Sequence, residues 1–525
     1  MTVLDNMLRR GYFPKELPPC FNTRTLADAL NDPRFVADNV FKAPKPSNRT
    51  QLVNASQSVS LPTSHSLINP GKNRRQLQIP HPTHFYSLSK ALNDNWNDII
   101  SHCQCSTLSL STPKLDPENN RAIVLNESGD VRPLRRIADR THGNFLLVCD
   151  IAAFYNSIYT HSIPWAFHTK GVAKQLRKDS LYGNLIDKLT RNGQDGQTRG
   201  IPTGTDTSFV IGESILSAVD REIVSRPSHI KGFRFYDDFE IVCQDEISAR
   251  EVLITIEECL REFELQLNDR KTRIVSLPEL LDHEWVSALR NFSLNPIPTG
   301  MCLVDFTDLA FRLSKNFPHD QVLKYALKIL FKVDATEIWL IYQDILLQIL
   351  RSEPQLARLV SHQLITYSLK GLSLGKEKLK ETLENNITRY MKLGATNEVV
   401  WCIWMCLLFG LHIDEKVASV LTQTDDSFIG ILVLDAREKG LIDESLDMTR
   451  WSQLMKEDEI YNKSWLFVYE AAAQGWLPIL DASDYINMHD CFGALNSFGV
   501  RFYNPANYNI TQSLLQELYL YERMY

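Results

Sequence analysis

The chain has 525 residues, of which 44% are hydrophobic, and its formal net charge is −7. This length is enough for roughly two to four domains with substantial cores. The N-terminus lacks the apolar stretch of a signal peptide, and the most apolar segment, residues 399–411, is too short to span a bilayer, so we expect a soluble cytoplasmic protein without a membrane partner.

The ten cysteines and the charge distribution limit the classes of site. Cys103 and Cys105 form a close pair with no matching second pair, which favours reduced thiols over a disulfide framework or a zinc site.

The charge is distributed unevenly along the chain. Residues 1–200 carry a formal charge of +9 and residues 201–525 carry −16. A basic first half suits a nucleotide or polynucleotide partner, although charge alone is also compatible with an ordinary solvated surface.

The first part of the chain reads as an arm and a linker. Residues 11–21 contain too many prolines for a helix and enough aromatic residues to dock on another surface, which predicts an extended arm. Residues 54–71 and 101–120 are rich in Ser, Asn and Pro and are typical of loops. Between these loops a core-facing helix is predicted from apolar and aromatic residues three and four apart, namely Phe85, Leu88, Leu92 and Trp96.

A strand, a helix, a hairpin, a helix and a strand are predicted next, in the order of an α+β palm. Residues 145–149 form a short apolar run that suits a buried strand ending at Asp150. A helix begins after Thr205 or Asp206 as N-cap, with Ile211, Ile215, Val219 and Ile223 on one face. Apolar runs on both sides of residues 236–238 predict a tight hairpin. A helix over residues 252–263 and a strand at residues 265–267 complete the palm.

After about residue 290 the pattern is helical. Short breaks separate apolar runs with helical spacing, and these predict helices at residues 320–331, 337–351, 354–368, 375–392, 396–410, 415–422, 428–438, 464–474 and 511–523. The helices could stack as pairs in a HEAT-type solenoid, and an irregular helical domain is the alternative, because no self-similar motif is visible.

Three acidic residues carry the chemistry. Asp237 and Asp238 are adjacent at the tip of the predicted hairpin, where like charges repel unless a cation neutralises them. Asp150 ends a separate strand, 87 positions earlier. Three carboxylates from two strand ends are typical of a cage for two Mg²⁺ ions, with Mn²⁺ as a substitute, that aligns a hydroxyl with a nucleoside triphosphate. Nucleotidyl transfer is therefore the leading hypothesis.

Four segments in chain order resemble motifs A to D of a reverse transcriptase palm. They are Asp150-Ile-Ala-Ala-Phe-Tyr-Asn-Ser-Ile158, Gly200-Ile-Pro-Thr-Gly-Thr-Asp-Thr-Ser208, Phe235-Tyr-Asp-Asp-Phe239 and Leu267-Asn-Asp-Arg-Lys-Thr272. The continuation Tyr159-Thr-His-Ser-Ile-Pro-Trp165 resembles the abortive-infection and "unknown group" defence-associated reverse transcriptases of bacteria. The resemblance covers about residues 75–275. It implies an α+β reverse-transcriptase-like fingers and palm followed by an all-α, HEAT-like C-terminal domain.

The resemblance divides the chain into an N-terminal arm and linker (residues 1–70), fingers and palm (71–290) and a helical domain (291–525). It implies that Asp150, Asp237 and Asp238 bind two metal ions, with the carbonyl of Ile151 completing one coordination shell. It also assigns Lys271 to protonation of the pyrophosphate leaving group.

Tyr155 would lie beneath the sugar and exclude a 2′-hydroxyl, which predicts deoxynucleotide substrates and disfavours an RNA polymerase. Gly204 would let the backbone approach the incoming base. Candidate triphosphate clamps in the basic region are Arg74, Arg75, Arg121, Arg135 and Arg136.

Several other residues are better explained by packing. His161, Trp165 and His168 lie near motif A without a second set of ligands at zinc spacing. Trp401 and Trp404 lie on a predicted buried helix, where packing outweighs a base-stacking role.

The function implied by the resemblance is antiphage defence by a DNA polymerase that adds dNTPs. Some members of the family extend a tyrosine of the protein itself without a template, which would leave DNA covalently attached to the protein. The candidate priming residues are Tyr12, Tyr508, Tyr519, Tyr521 and Tyr525. The alternatives are copying of a bound noncoding RNA and a catalytically inactive phage-sensing assembly. The resemblance also implies a homo-oligomer, either a trimer or a hexamer.

Overall fold

The structure is a computed structural model that describes residues 2–41, 59–68, 74–116, 121–127, 131–226, 230–478, 485–488, 490–505 and 510–520. Within the described residues, the cysteines form no disulfide bond. Within the described residues, every helix is too short or too polar to cross a bilayer.

The N-terminal arm docks on both halves of the molecule. It begins with α1 (Val3–Asn6), a π-helical turn (Met7–Gly11), α2 (Arg24–Leu30) and α3 (Ala37–Val40). Residues 12–23 form turns without a helix, as their prolines predict. Trp401 Nε1 donates to the carbonyl of Glu16 at 2.8 Å, and Phe21 pairs with Tyr503 in an isolated bridge. The arm therefore has a partner surface in the helical half.

Two small hairpins and three α-helices lie between the arm and the palm. Strands β1 (Thr63–Ile68) and β2 (Arg74–Ile79) are antiparallel, as are β3 (Pro113–Leu115) and β4 (Ile123–Leu125). Strand β1 falls inside the segment predicted as a linker, so that prediction is wrong for residues 63–68. The predicted helix around Phe85 is α4 (Pro82–Asp94), which ends before Trp96, and Trp96 begins α5 (Trp96–Gln104). A further helix, α6 (Val131–Asp139), follows β4.

The palm is a four-stranded antiparallel sheet in the order β6-β7-β5-β8. Its strands are β5 (Phe145–Asp150), β6 (Lys231–Phe235), β7 (Asp238–Cys243) and β8 (Arg273–Ser276). The last strand was predicted at residues 265–267, but Leu267 makes an isolated bridge to Ile151 and the ladder resumes at Arg273. The chain folds this way because residues 263–272 turn at Glu264, which has a positive φ of 63°, before they rejoin the sheet.

Six helices accompany the sheet. They are α7 (Phe154–Ser157), α8 (Ser162–His168), α9 (Lys170–Gln175), α10 (Tyr182–Asn192), α11 (Asp206–Ser225) and α12 (Glu246–Glu262). Thr205 is the N-cap of α11, and its hydroxyl accepts a hydrogen bond from the Ser208 amide. The predicted apolar face of α11 is buried with strands β5 and β7 in one hydrophobic core.

The second half is helical throughout its described length. Its helices are α13 (Glu284–Arg290), α14 (Gly300–Asn316), α15 (Val322–Leu330), α16 (Trp339–Ser352), α17 (Ala357–Leu369), α18 (Lys376–Lys392), α19 (Thr396–Phe409), α20 (Glu415–Leu421), α21 (Ser427–Glu438), α22 (Thr449–Ser452), α23 (Trp465–Ala473), α24 (Tyr485–Met488), α25 (Asp490–Ser497) and α26 (Gln512–Leu520). All nine predicted helices are present, and α13, α14, α22, α24 and α25 were not predicted.

Helices two apart in sequence are neighbours in the second half, since α16 packs on α18 and α17 packs on α19. One continuous hydrophobic core joins these helices to the arm and to Ile79, Phe85 and Tyr86 of the first half. A HEAT-like repeat stays a prediction.

Candidate active site

Asp237 and Asp238 lie at the tip of a tight hairpin, as predicted. Strands β6 and β7 pair in a register that places Phe235 opposite Asp238, so Tyr236 and Asp237 form the turn. Tyr236 has a φ of 53°, a left-handed conformation that suits the first position of such a turn but is strained for an aromatic residue. The turn thus holds two carboxylates at one end of the sheet.

Asp150 reaches the same end of the sheet from strand β5. It is paired with Asp238 in the β5–β7 ladder, and the amide of the next residue, Ile151, donates to the carbonyl of Asp237 at 3.2 Å. The three carboxylates therefore lie at the same end of the sheet, and Ile151, whose carbonyl was predicted as a metal ligand, directly follows Asp150.

A buried arginine fixes the hairpin from behind. Arg234, fully buried on β6, donates to Tyr236 O at 2.7 Å and to the carboxylates of Glu213 and Asp220 on α11 at 2.7–3.0 Å. The hydroxyl of Ser111 accepts from the Tyr236 amide at 2.6 Å. These charge-assisted bonds stabilise the strained turn.

Burial and mutual repulsion raise the pKa of both hairpin carboxyls. The pKa of Asp237 is raised by burial and then by the charge of Asp150, while Lys271 and Arg75 oppose the shift. The pKa of Asp238 is raised to about 6 by burial and then by Asp237, with Arg132 opposing. A cation bound beside these groups would favour their ionised forms.

Lys271 and Asn268 bind the third carboxylate. Lys271 Nζ lies 2.7 Å from Asp150 Oδ2, and Asn268 Nδ2 donates to Asp150 Oδ1 at 3.0 Å. Among the described residues, no three His, Cys, Asp or Glu side chains are arranged as ligands of one metal ion. The three aspartates nevertheless place carboxylate oxygens at one end of the sheet, and such hard oxygen donors are the ligands that Mg²⁺ prefers. In this conformation the ammonium of Lys271 neutralises Asp150.

Tyr155 follows the first acid on the short helix α7. Its carbonyl accepts from the Ile201 amide at 3.0 Å, which ties it to the motif B turn. The half-buried ring packs on α11 beside Gly212, where an added Cβ would lie 3.2 Å from Tyr155 Cε1. Burial, and then the nearby Tyr236, raise the pKa of the Tyr155 hydroxyl. The ring is thus held against α11 near Asp237.

The position of Gly204 has no room for a side chain, and the residue that would clash with one belongs to the N-terminal arm. It has a φ of 113°, and an added Cβ would lie 2.9 Å from Pro14 Cγ and 3.4 Å from Leu77 Cδ2. The motif B turn is therefore covered by the arm and by β2 in this structure.

The candidate triphosphate clamps occupy different environments. Arg121 is buried and bonded to Asp206, Phe13 O and Gly204 O, so it joins the arm to motif B. Arg74 bonds Ser66 and the carbonyl of Gly394 in the helical half. In this structure both guanidinium groups are therefore bound by protein groups, and their role as phosphate ligands stays a prediction.

Arg135 and Arg136 are likewise held by protein groups, since Arg135 pairs with Asp139 at 3.3 Å and Arg136 pairs with Glu240 at 2.6 Å. Arg75, exposed on β2, influences the pKa of Asp237 and Tyr155. The charge of Arg75 therefore acts to lower the pKa of Asp237.

Tyr12 is a core residue in this structure. Its hydroxyl is fully buried and donates to Pro80 O at 2.5 Å, and its ring stacks on Phe85 with centroids 4.0 Å apart. This environment argues against Tyr12 as a priming residue. Tyr508, Tyr521 and Tyr525 lie outside the described residues, and for Tyr519 only the backbone of α26 is described.

The packing interpretation of the other residues agrees with their contacts. His161 bonds Asp187 at 2.7 Å, and His168 accepts from the Gly183 amide at 3.1 Å. Trp401 and Trp404 are buried on α19. Trp165 packs partly against the palm core.

Three residues of the site were not anticipated. Arg132 NH2 lies 3.8 Å from Asp238 Oδ2 and its guanidinium lies over the Phe235 ring, Asn268 bonds Asp150, and Arg234 holds the hairpin. Two sequence signals were available for Arg234: a charge between Phe233 and Phe235, and two acids seven residues apart on the otherwise apolar helix α11.

Comparison with known proteins identifies the palm segment. Residues 81–301 match the family model for reverse transcriptase (RNA-dependent DNA polymerase). No curated protein matches the chain.

Similar solved structures include three telomerases of low similarity. That of Candida albicans with a TWJ fragment of telomeric RNA is 11% identical, with 68% of this chain and 63% of the other covered and a TM-score of 0.29. The apo enzyme of Candida tropicalis is 11% identical, with 68% of this chain and 67% of the other covered and a TM-score of 0.33. Its complex with the TWJ fragment is 12% identical, with 76% of this chain and 64% of the other covered and a TM-score of 0.31. The chain thus spans about two thirds of the length of these telomerases.

The family model covers all four motif segments and the three acids that the sheet brings together. Residues 81–301 therefore match a reverse transcriptase domain, the domain type of RNA-directed DNA polymerases, which are nucleotidyltransferases.

Proposed function

We propose that the chain is an antiphage defence polymerase that adds deoxynucleotides by two-metal nucleotidyl transfer. The observation that carries this proposal is the pairing of Asp150 with Asp238 in adjacent strands, beside Asp237 at the hairpin turn. The defence role is supported by the resemblance of residues 150–165 to defence-associated reverse transcriptases.

The three aspartates would hold the metal ions, together with the carbonyl of Ile151. Bound Mg²⁺ would lower the pKa of an attacking hydroxyl and stabilise the charge on the leaving pyrophosphate. The protein itself positions these ligands, because the β5–β7 ladder and the Arg234 contacts fix where the carboxylates lie.

Other residues would bind the nucleotide around the acids. Arg75, whose charge acts on Asp237, and Arg132, which lies 3.8 Å from Asp238 Oδ2, would offer guanidinium groups to the triphosphate. Lys271 would leave Asp150 and donate a proton to the pyrophosphate. The Tyr155 ring, backed by α11 at Gly212, would exclude a 2′-hydroxyl.

Synthesis is proposed to be protein-primed and independent of a template. The N-terminal arm supports this mode, since Pro14 lies against Gly204 in the turn that resembles the site of base approach. The priming residue is then a tyrosine other than Tyr12, and the C-terminal Tyr508, Tyr519, Tyr521 and Tyr525 are the candidates. A trimer or hexamer is proposed for the assembly from the same resemblance.

Copying of a bound noncoding RNA is the second candidate mode. The matched family model is that of an RNA-dependent DNA polymerase, which favours a template. In that mode the arm would have to leave the motif B turn when the template binds.

One incubation separates the two modes. Purified full-length protein is incubated with labelled dNTPs and Mg²⁺, with and without ribonuclease treatment, and then denatured. Protein priming predicts label that remains with the denatured protein, is released by protease and survives ribonuclease pretreatment. Label that is lost after ribonuclease pretreatment would support the RNA-templated mode, and absence of incorporation under all conditions would contradict the polymerase proposal.

A further inference from the structure

A strongly basic surface lies on helices α8 to α10, between Asp150 and Asp237 in the sequence. Residues 162–192 contain six lysine or arginine residues and two aspartates, in a chain whose net charge is −7. Lys188 pairs with Asp179 and Arg191 pairs with Asp187. The remaining four cations are Lys170, Lys174, Arg177 and Lys178.

These four cations are exposed, and no carboxylate of the described residues lies within ion-pair distance of them. Arg177 Nε donates to the carbonyl of Lys174 at 3.2 Å, which keeps its guanidinium next to the end of α9. Four uncompensated cations within nine residues repel one another unless an anion binds. The positive charge of this surface would therefore favour binding of an anionic partner.

An aromatic ring lies within this charged surface. Lys170 Nζ is 4.1 Å and Lys174 Nζ is 5.8 Å from the centroid of the half-buried Trp165 ring. Tyr159 meets the same ring edge to face, with centroids 5.8 Å apart. Rings interleaved with cations are typical of surfaces that hold single-stranded nucleic acid, where bases stack on the rings and cations contact the phosphates.

The backbone between α8 and α9 is strained at this place. Thr169, a β-branched residue, has a φ of 67° and a ψ of 152°, a region that is almost restricted to glycine. This conformation reverses the chain after α8 so that Lys170 and Lys174 come back over Trp165. Strain of this kind is concentrated at functional positions.

The basic surface is joined to the active site by main-chain hydrogen bonds. The Gly200 amide donates to Ile158 O at 2.8 Å, and the Thr160 amide donates to Thr198 O at 2.8 Å. Tyr159, between them, bridges to Arg199 and is four residues from Tyr155. A strand that leaves the nucleotide site along this connection would next meet Tyr159 and Trp165.

We propose that Tyr159, Trp165, Lys170, Lys174, Arg177 and Lys178 form a binding surface for single-stranded nucleic acid. We name it the aromatic-basic surface. The proposal extends the proposed function, on which it rests, because a polymerase must hold the strand that it extends or copies. Phosphates would bind the four cations, and one or two bases would stack on the exposed side of the rings.

The test measures binding of fluorescein-labelled oligo(dT) and oligo(rU) to the full-length protein, without dNTPs or divalent metal, over a series of salt concentrations. The charge variant is Lys174→Gln/Arg177→Gln/Lys178→Gln. Its control is Lys332→Gln/Lys376→Gln/Lys416→Gln, which removes the same charge from exposed positions of the helical half. Thermal unfolding establishes that each variant is folded.

The charge variant is expected to bind about tenfold more weakly at 0.1 M salt. Its slope of log Kobs against log salt should be less negative by about 2, because three phosphate contacts each contribute roughly 0.7 for single strands. The control is expected to stay within about twofold of the unmodified protein. A second variant, Trp165→Leu, should weaken binding several-fold without changing the salt slope, since it removes stacking and no charge.

Equal affinities for the charge variant and its control would overturn the proposal. Displacement of the oligonucleotide by poly-glutamate at the same charge concentration would also overturn it, by showing a general anion surface. Labelled dNTP incorporation is measured on the same preparations. Oligonucleotide binding that depends on the aromatic-basic surface, without dNTP incorporation, would contradict the proposed polymerase function but support the binding surface. Incorporation without surface-dependent binding would support the polymerase function and contradict the binding surface.

Discussion

Lys271 Nζ lies 2.7 Å from Asp150 Oδ2, at the carboxylate that is paired with Asp238 across the sheet. Asp150 is almost completely buried, whereas the Lys271 side chain is largely exposed and reaches in from the turn before β8. The ammonium therefore takes the position beside Asp150 that a metal ion would need. Binding of metal and release of Lys271 are expected to be coupled.

Lys271→Met tests this coupling. Without Mg²⁺ the variant should be less stable by about 1 kcal/mol, because a mostly exposed ion pair is screened by solvent. With Mg²⁺ the variant should gain about 2–4 °C more in Tm than the unmodified protein, since the ion no longer displaces an ammonium. Thermal unfolding with and without Mg²⁺ measures both effects. An equal Mg²⁺-dependent shift in the two proteins would contradict competition at Asp150.

Tyr155→Val tests the sugar gate. The ring is backed by α11 at Gly212 and cannot retreat, so its removal should open space for a 2′-hydroxyl. The ratio of kcat/KM for dNTPs to that for rNTPs should fall by about 10- to 100-fold, the range expected when a steric exclusion is lost. Tyr155→Phe is the control and should keep its selectivity, because the ring and not the hydroxyl excludes the sugar. An unchanged ratio in Tyr155→Val would remove the gate role.

Arg234→Met tests the support behind the hairpin. The variant leaves Glu213 and Asp220 buried without their cation, which should lower the free energy of unfolding by about 3–5 kcal/mol. Urea unfolding measures this loss. Arg250→Met is the control, since Arg250 and Glu246 form an exposed pair on α12 that should contribute less than about 1 kcal/mol. Similar losses in the two variants would show that the buried contacts do not hold the fold.

Glu398 on α19 predicts a dependence of stability on pH. Its carboxylate accepts from the Ile68 amide at 3.1 Å, and burial raises its pKa from 4.5 to about 7. Because the folded chain binds this proton more tightly than the unfolded chain, stability is greatest below pH 4.5 for this group and falls as pH rises to about 7. The loss is as much as about 3 kcal/mol.

Glu398→Gln should remove this part of the pH dependence. The amide cannot ionise, so the free energy of unfolding between pH 5 and pH 8, roughly the interval over which the carboxyl ionises, should be flatter than in the unmodified protein. Chemical denaturation at several pH values measures it. Glu377→Gln, an exposed position on α18, is the control and should leave the profile unchanged. An unchanged profile in Glu398→Gln would mean that Glu398 is ionised in the folded protein.

The palm could be predicted from sequence because its signals are local. The apolar run before Asp150, the hairpin around residues 236–238 and the N-cap Thr205 each depend on a few neighbouring residues, and all three are present. Strand β8 was predicted too early in the sequence. Apolar and polar residues alternate at residues 265–267 as they do in a strand, whereas pairing with β5 begins at Arg273.

The arginines could not be assigned because their partners are remote in sequence. Arg121 pairs with Asp206, 85 positions away, and Arg74 bonds the carbonyl of Gly394, 320 positions away. A basic run shows that cations are present but not which carboxylates or carbonyls meet them. The burial of Tyr12 could not be predicted for the same reason, since the Pro80 carbonyl and the Phe85 ring, which contact it, come from residues about 70 positions away.

The most direct measurement of the central claim is labelled deoxynucleotide incorporation by the double variant Asp237→Asn/Asp238→Asn beside the unmodified protein. Both are purified as full chains and assayed with Mg²⁺, and their folding is compared by circular dichroism and thermal unfolding. The account predicts incorporation by the unmodified protein and none by a variant that is folded and at least as stable without metal, because the repulsion that raises the pKa of both carboxyls is removed. Undiminished incorporation by the folded variant would contradict the account.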